Sequence, residues 1–195
     1  MMRRVPILPT IVVLVAVAIM VWLGFWQLDR LGQKEAMLAR YAAAMTNPAP
    51  VAFPADGSAV ESALFHRAKL DCAAPSGNWN SIAGRNARGE AGYVHLVACP
   101  VDDGRLAWLQ AGWTRGPQHP DWKGGEVSGL VAPYVDHTAR LIADPPVPGF
   151  EASARPDPSD IPNNHLAYAV QWFFFAGVAL VIYALALRKR WRERG

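Results

Sequence analysis

No charged residue occurs between Val5 and Leu28, a run of 24 positions, or between Leu166 and Leu187, a run of 22. A helix needs about 20 mostly apolar residues to cross the hydrocarbon core of a bilayer, so each run is long enough to span one. Trp22, Trp26, Trp172 and Tyr183 lie towards the run ends, where amphipathic rings favour the membrane–water boundary. The hydrophobic fraction of 52% and charged fraction of 18% over 195 residues come from these two ends. Arg3 and Arg4 ahead of an apolar stretch also suit a secretory signal. A cleaved signal, however, has a short apolar region and a small-residue exit, and here the run continues into Trp22-Leu23-Gly24-Phe25-Trp26. The first run is therefore read as an uncleaved anchor.

Charge sets the expected orientation. The N-terminal tail carries +2, the tail "RKRWRERG" carries +4, and residues 29–165 carry −3. Cations flanking a span are retained in the cytoplasm. Both termini are thus expected inside and the middle domain outside, in the periplasm for a bacterial inner membrane or the intermembrane space for a mitochondrion. The net charge of +3 sits in the tails and gives no indication of nucleic-acid binding. The expected organisation is a tail 1–4, a span 5–28, a helical extension 29–46, an extracytoplasmic domain 47–164, a second span 165–187 and a basic tail 188–195.

In the middle, "NPAP" at 47–50 stops the helical extension, because proline neither continues a helix nor permits helical backbone before it. Beyond it, "ALFHRAKLDC", "AGYVHLVACP" and "RLAWLQAGWT" are short apolar runs between Gly, Pro and Asp clusters, which predicts strands. Asp103-Gly104 between two of them predicts a hairpin. "EVSGLVAPYV" and "TARLIAD" are weaker strand candidates. The fold class expected is a membrane protein with two transmembrane α-helices flanking a small, mainly antiparallel β (α+β) domain of four to seven strands. Cys72 and Cys99 each follow a strand-like segment. They form a disulfide in an oxidising compartment or remain two small buried thiols, and the sequence leaves both open.

No G-x-S-x-G elbow, phosphate loop or H-E-x-x-H helix is present, so no catalytic residue is assigned. His66, His95, His119 and His137 stand alone in strands or loops and read as surface or structural residues. His165 opens the second span in "NNHLAYAVQWFFFAG", with Tyr168 and Trp172 following at helical spacing. An ionisable group at the mouth of a span is a functional candidate, and imidazole is an axial ligand of haem iron. From spacing alone, an interfacial polar residue beside an Asn cap is the favoured explanation. On the first helix Gln27, Arg30 and Lys34 fall at i, i+3 and i+7 on one stripe, with Trp26 one turn from Arg30. Cations that snorkel beside a Trp belt explain this arrangement. A flat apolar ligand with anionic ends is the sharper alternative, and on the residues alone the ordinary account is preferred.

Three stretches resemble the Surfeit locus protein 1 family of cytochrome c oxidase assembly factors. They are "LGFWQLDRLGQKEAML", "GRNARGEAGYVHLVACPVDDGRLAWLQAGWTRG" and "NNHLAYAVQWFFFAGVALVIY". Ala111 stands where that family usually has Arg before its Gly-Trp pair, and "PSGNWNSIAG" and residues 116–125 match nothing in its pattern. The resemblance implies a non-enzymatic helper that binds haem a and assists its insertion into the oxidase catalytic subunit, with haem a synthase a possible partner. It makes His165 the haem ligand, with Trp172 and Tyr168 near it. Trp26 would then meet the macrocycle, and Gln27, Arg30 and Lys34 would line the opposing wall, the two cations towards the propionates. A scaffold that holds no haem fits everything except the reading of His165. A periplasmic sensor or membrane enzyme ranks last.

Overall fold

The computed structural model describes residues 5–54, 57–101 and 105–193. The hairpin expected at Asp103-Gly104 lies outside these residues, as do Arg3, Arg4 and Arg194. The element order is α1 (Ile7–Thr46), β1 (Val51–Ala52), α2 (Gly57–Ala63), β2 (Arg67–Cys72), β3 (Trp79–Arg85), β4 (Ala91–Pro100), β5 (Leu106–Thr114), β6 (Gly125–Pro133), β7 (Ala139–Ala143) and α3 (His165–Glu193). The chain divides into two compact units. One comprises residues 1–37 and 161–195, the other residues 38–160.

The first unit is a pair of long helices. Both are apolar and long enough to cross a membrane. Their large side chains point outward, with Ile7 75%, Leu8 74%, Phe174 63% and Ile182 62% exposed. A water-soluble protein would not leave such a surface bare; hydrocarbon is its natural solvent. The molecule is a membrane protein with two spans and a β domain. α1 continues without a break through Gln33-Lys34-Glu35 to Thr46, and α3 runs on through the basic segment to Glu193.

The second unit is a seven-stranded sheet in the order β1-β2-β6-β7-β5-β4-β3. Four strand pairs are antiparallel, whereas β1–β2 and β5–β7 run parallel. The β5–β7 pair arises because β7 leaves β6 by a short turn and inserts beside β5, separating β5 from β6. Strand β2 alternates cleanly, with Ala68, Leu70 and Cys72 buried and Lys69 and Asp71 facing out.

Cys72 and Cys99 form a disulfide with Cα atoms 5.0 Å apart. They do not sit on hydrogen-bonded neighbours: β6, β7 and β5 lie between β2 and β4. In a flat sheet four inter-strand steps separate two strands by about 19 Å. The bond therefore requires this sheet to coil strongly, so that its concave face closes on itself. That face holds the main core, with Leu70, Cys72, Val97, Cys99, Leu109, Val131 and Leu141 fully or almost fully buried. On the opposite face Val94, Leu96 and Trp113 form a smaller cluster covered by Ile82, Trp108 and Tyr134. The pairing of β4 with β5 shifts register between His95 and Leu96, the mark of a bulge. Gly112 stands there because the strap at Phe150–Glu151 comes too close for a side chain. A Cβ would lie 2.5 Å from Phe150 Cβ. Ala111, where the resembled family has Arg, is completely buried.

The last turns of α1 belong to this second unit. Tyr41 and Ala44 are buried, and the Tyr41 ring packs on Phe65 at 4.7 Å.

Candidate functional site

Within the helix pair, three contacts fix the register of α1 on α3. Thr10 Oγ1 and the Tyr183 hydroxyl are hydrogen-bonded, so Tyr183 binds a helix partner and does not simply mark the interface. The Phe173 ring fills the notch over Gly24, where a Cβ would meet Phe173 Cε1 at 2.6 Å, and it also packs edge-on against Phe25 at 5.4 Å. At the top, His165 Nδ1 lies 2.8 Å from Gln27 Oε1. As the positions rise along α1 from 10 to 27 they fall along α3 from 183 to 165, so the pair is antiparallel. Small and hydrogen-bonded groups on the seam alternate with packed aromatic rings, the close contacts on which helix association in lipid rests.

The contact between His165 and Gln27 has a chemical consequence. An amide oxygen can only accept, so with Gln27 in this orientation Nδ1 of His165 is the donor, and in the neutral imidazole the lone pair then sits on Nε2. A metal-binding imidazole needs this arrangement, with one ring nitrogen tied to a second-layer acceptor and the other free. Asn163 Oδ1, two residues before His165, is buried without a partner.

The surroundings of His165 follow from helical geometry. At 3.6 residues per turn, Arg30 and Trp26 are rotated from Gln27 by about 60° and about 100° to the same side of α1. On the antiparallel α3, Tyr168 is rotated about 60° to that same flank. The flank is open: Trp26 is 46% and Tyr168 52% exposed. Trp172 lies two turns below His165, half-buried on the seam, with its ring edge-on to Phe175 at 6.4 Å. Trp22 is 64% exposed. Arg30 donates to Gln33 Oε1 at 2.6 Å, and Gln33 Nε2 donates to Asp29 Oδ2 at 2.7 Å. Lys34 is half-buried on the stripe that contains Gln27. Helical rotation thus puts Trp26, Arg30 and Tyr168 on one flank of the contact between His165 and Gln27. Gln27 contacts His165 itself, a pairing across 138 residues that no spacing rule could have revealed.

The β unit holds a pair of neighbouring histidines. His95 is fully buried, its ring nitrogens 2.8 Å from Ser81 Oγ and 2.6 Å from Thr114 Oγ1. His119 lies 6.3 Å from it, centroid to centroid, and stacks on Trp79 at 4.4 Å. These two histidines are therefore neighbours, in contrast to their isolation along the sequence. Burial holds the His95 imidazole below the usual histidine range, and the nearby His119 adds to the effect. Both nitrogens of His95 are occupied, which leaves it no free lone pair for a ligand. Among the described residues no group of three or more His, Cys, Asp or Glu could hold a metal ion. A metal-centred ligand held by the described residues would therefore find at most two such donors together.

The family model described as "SURF1 family" matches residues 14–177, most of the chain, from within α1 to within α3. No curated protein matches.

Proposed function

We propose that this chain, which belongs to the SURF1 family associated with cytochrome c oxidase assembly, holds haem a on its helix pair and hands it to the oxidase catalytic subunit. The observation that carries the reading is the hydrogen bond from His165 Nδ1 to Gln27 Oε1. It leaves Nε2 as a donor on a flank where two exposed aromatic rings and a cation already stand.

In this reading haem a is cargo. His165 Nε2 ligates the iron. Trp26 and Tyr168, with Trp172 two turns below His165, offer apolar faces to the macrocycle, and Arg30 and Lys34 supply positive charge to the propionates. Free haem a, with its apolar ring and farnesyl tail, would otherwise dissolve in the bilayer. A single imidazole donor is strong enough to hold the iron and weak enough to lose it to an acceptor that offers histidines of its own. The role is one of transfer without catalysis. The natural partners are the oxidase catalytic subunit and the surrounding lipid, with haem a synthase as the source. The charge of the two tails puts both termini in the cytoplasm of a bacterial inner membrane and the β domain in the periplasm.

The test is the absorption spectrum and extracted haem of detergent-purified protein co-produced with the enzymes of haem a synthesis. Wild type is expected to carry haem a, and His165→Ala to be folded and colourless. Arg30→Ala with Lys34→Ala is expected to insert normally but retain less haem. A colourless wild type would sink the carrier reading and favour a scaffold that holds an oxidase intermediate through protein contacts alone.

A further inference from the structure

We propose that Gln27 is a positioning residue that fixes the tautomer of His165 and sets how readily His165 releases its ligand. This rests on the carrier reading and extends it: Gln27 acts through the imidazole and touches no haem.

Neutral imidazole in water prefers its proton on Nε2. With Nε2 protonated, the lone pair would sit on Nδ1, the nitrogen that faces α1, and no donor would reach the open flank. Gln27 Oε1, 2.8 Å from Nδ1, reverses that preference. One turn below the amide, Gly24 leaves room for the Phe173 ring against α1, where a Cβ would meet the ring at 2.6 Å. The clamp between Thr10 and Tyr183 holds the far end of the pair. The half-buried setting of both partners lessens the competition from water for the Nδ1 proton.

The identity of the acceptor matters as much as its presence. A carboxylate behind a metal-bound histidine draws the Nδ1 proton towards itself and makes the imidazole a stronger, more anionic donor. A neutral amide oxygen orients the ring equally well while drawing the proton less. A carrier benefits from that combination, because its ligand must point correctly yet let go. Glutamine is also the neutral isostere of glutamate, so exchanging one for the other changes charge while keeping shape.

The experiment has a haem-free arm and a loaded arm. In full-length protein without haem, in detergent, nitrogen NMR of labelled histidine should show His165 protonated at Nδ1. In Gln27→Leu the proton should shift to Nε2, and in Gln27→Glu it should stay at Nδ1. With haem a bound, Gln27→Leu should release it to apomyoglobin at least about tenfold faster than wild type, the scale on which second-layer partners act. Gln27→Glu should release it more slowly than wild type and lower the reduction potential of the bound haem. The Glu variant separates orientation from a packing defect, since it preserves the side chain's size and its acceptor. A wild type that binds no haem a overturns the carrier reading and this role with it. Nε2 protonation in the haem-free wild type, or equal release rates in all three proteins, overturns the role of Gln27 alone.

Discussion

His95 is a titratable group that the fold has taken wholly out of water. Its ring lies between β3 and β5 within hydrogen-bond distance of Ser81 Oγ and Thr114 Oγ1, which also approach the carbonyl oxygens of Pro117 and Gly116; with the ring neutral, one hydroxyl donates to the imidazole and the other to its carbonyl. One imidazole thus ties the loop after β5 to the sheet. Burial disfavours the imidazolium, and His119, its titratable neighbour, acts in the same direction. The folded state therefore holds fewer protons than the unfolded chain at mildly acid pH. The stability this provides is complete above the unfolded value of about 6.5 and is lost as pH falls from there towards the lower folded value. Thermal unfolding of the full chain in detergent, followed by near-ultraviolet circular dichroism, should show the β domain weakening between pH 7 and pH 5. In His95→Gln the midpoint should start lower but depend less on pH over that interval. An equally steep decline in the variant would place the sensitivity elsewhere. This cluster was not legible in the sequence, because Ser81, His95, Thr114 and Pro117 come from three strands and a loop with no fixed spacing. By contrast, His165 could be singled out at the mouth of an apolar run, where a titratable group is a functional candidate, although spacing alone favoured an interfacial polar residue there.

Legibility among the elements follows physical distinctness. The two long helices could be read from length and lack of charge alone, and β2, β4, β5, β6 and β7 from apolar runs between turn residues. Strand β3 could not. "WNSIAGR" neither alternates nor clusters apolar residues, and it contains Gly84, where a Cβ would meet Val94 Cγ1 at 2.7 Å. Its extended form comes from pairing with β4, from Trp79 opposite Val97 to Arg85 opposite Ala91. That interaction is tertiary and absent from the local pattern. The parallel insertion of β7 beside β5 was hidden for the same reason. For the helix pair, register rests on the notch at Gly24. Replacing Gly24 with Ile should push α3 away and separate Gln27 from His165, whereas removing the obstructing ring with Phe173→Ala should restore the approach. The two disulfide-bonded cysteines are unreactive towards maleimides, so a short bismaleimide linker can report on Gln27→Cys with His165→Cys. Cross-linking in membranes should be strong in that background, weak once Gly24→Ile is added, and recovered when Phe173→Ala is added as well. Failure of Phe173→Ala to restore it would show that Gly24 matters for reasons other than the Phe173 contact.

At the scale of the whole molecule, the disulfide and the charged tails bear on the same question from independent directions. The Cys72–Cys99 bond closes a separation of 27 residues, which in the chain-entropy account stabilises the fold by about 3–4 kcal/mol. A domain of this size has about 5–15 kcal/mol in total, so the bond is a large share of what keeps the coiled sheet closed. Such bonds persist in the periplasm and are rare in the cytosol. Of the cations on the basic segment that ends α3, Arg188, Lys189, Arg190 and Arg192 fall among the described residues, and they argue for retention of that end in the cytoplasm. If the β domain is periplasmic, cells lacking the periplasmic oxidant should accumulate much less of the chain. Cys72→Ser with Cys99→Ser should lower its abundance to a similar level in wild-type cells and lower the thermal midpoint of the purified protein by on the order of 10 °C. Removing the oxidant from cells producing the double-serine variant should then change nothing further, because the two losses are the same loss. If the domain instead faced the cytoplasm, its cysteines would already be reduced, and neither deleting the oxidant nor replacing both cysteines would alter how much protein accumulates.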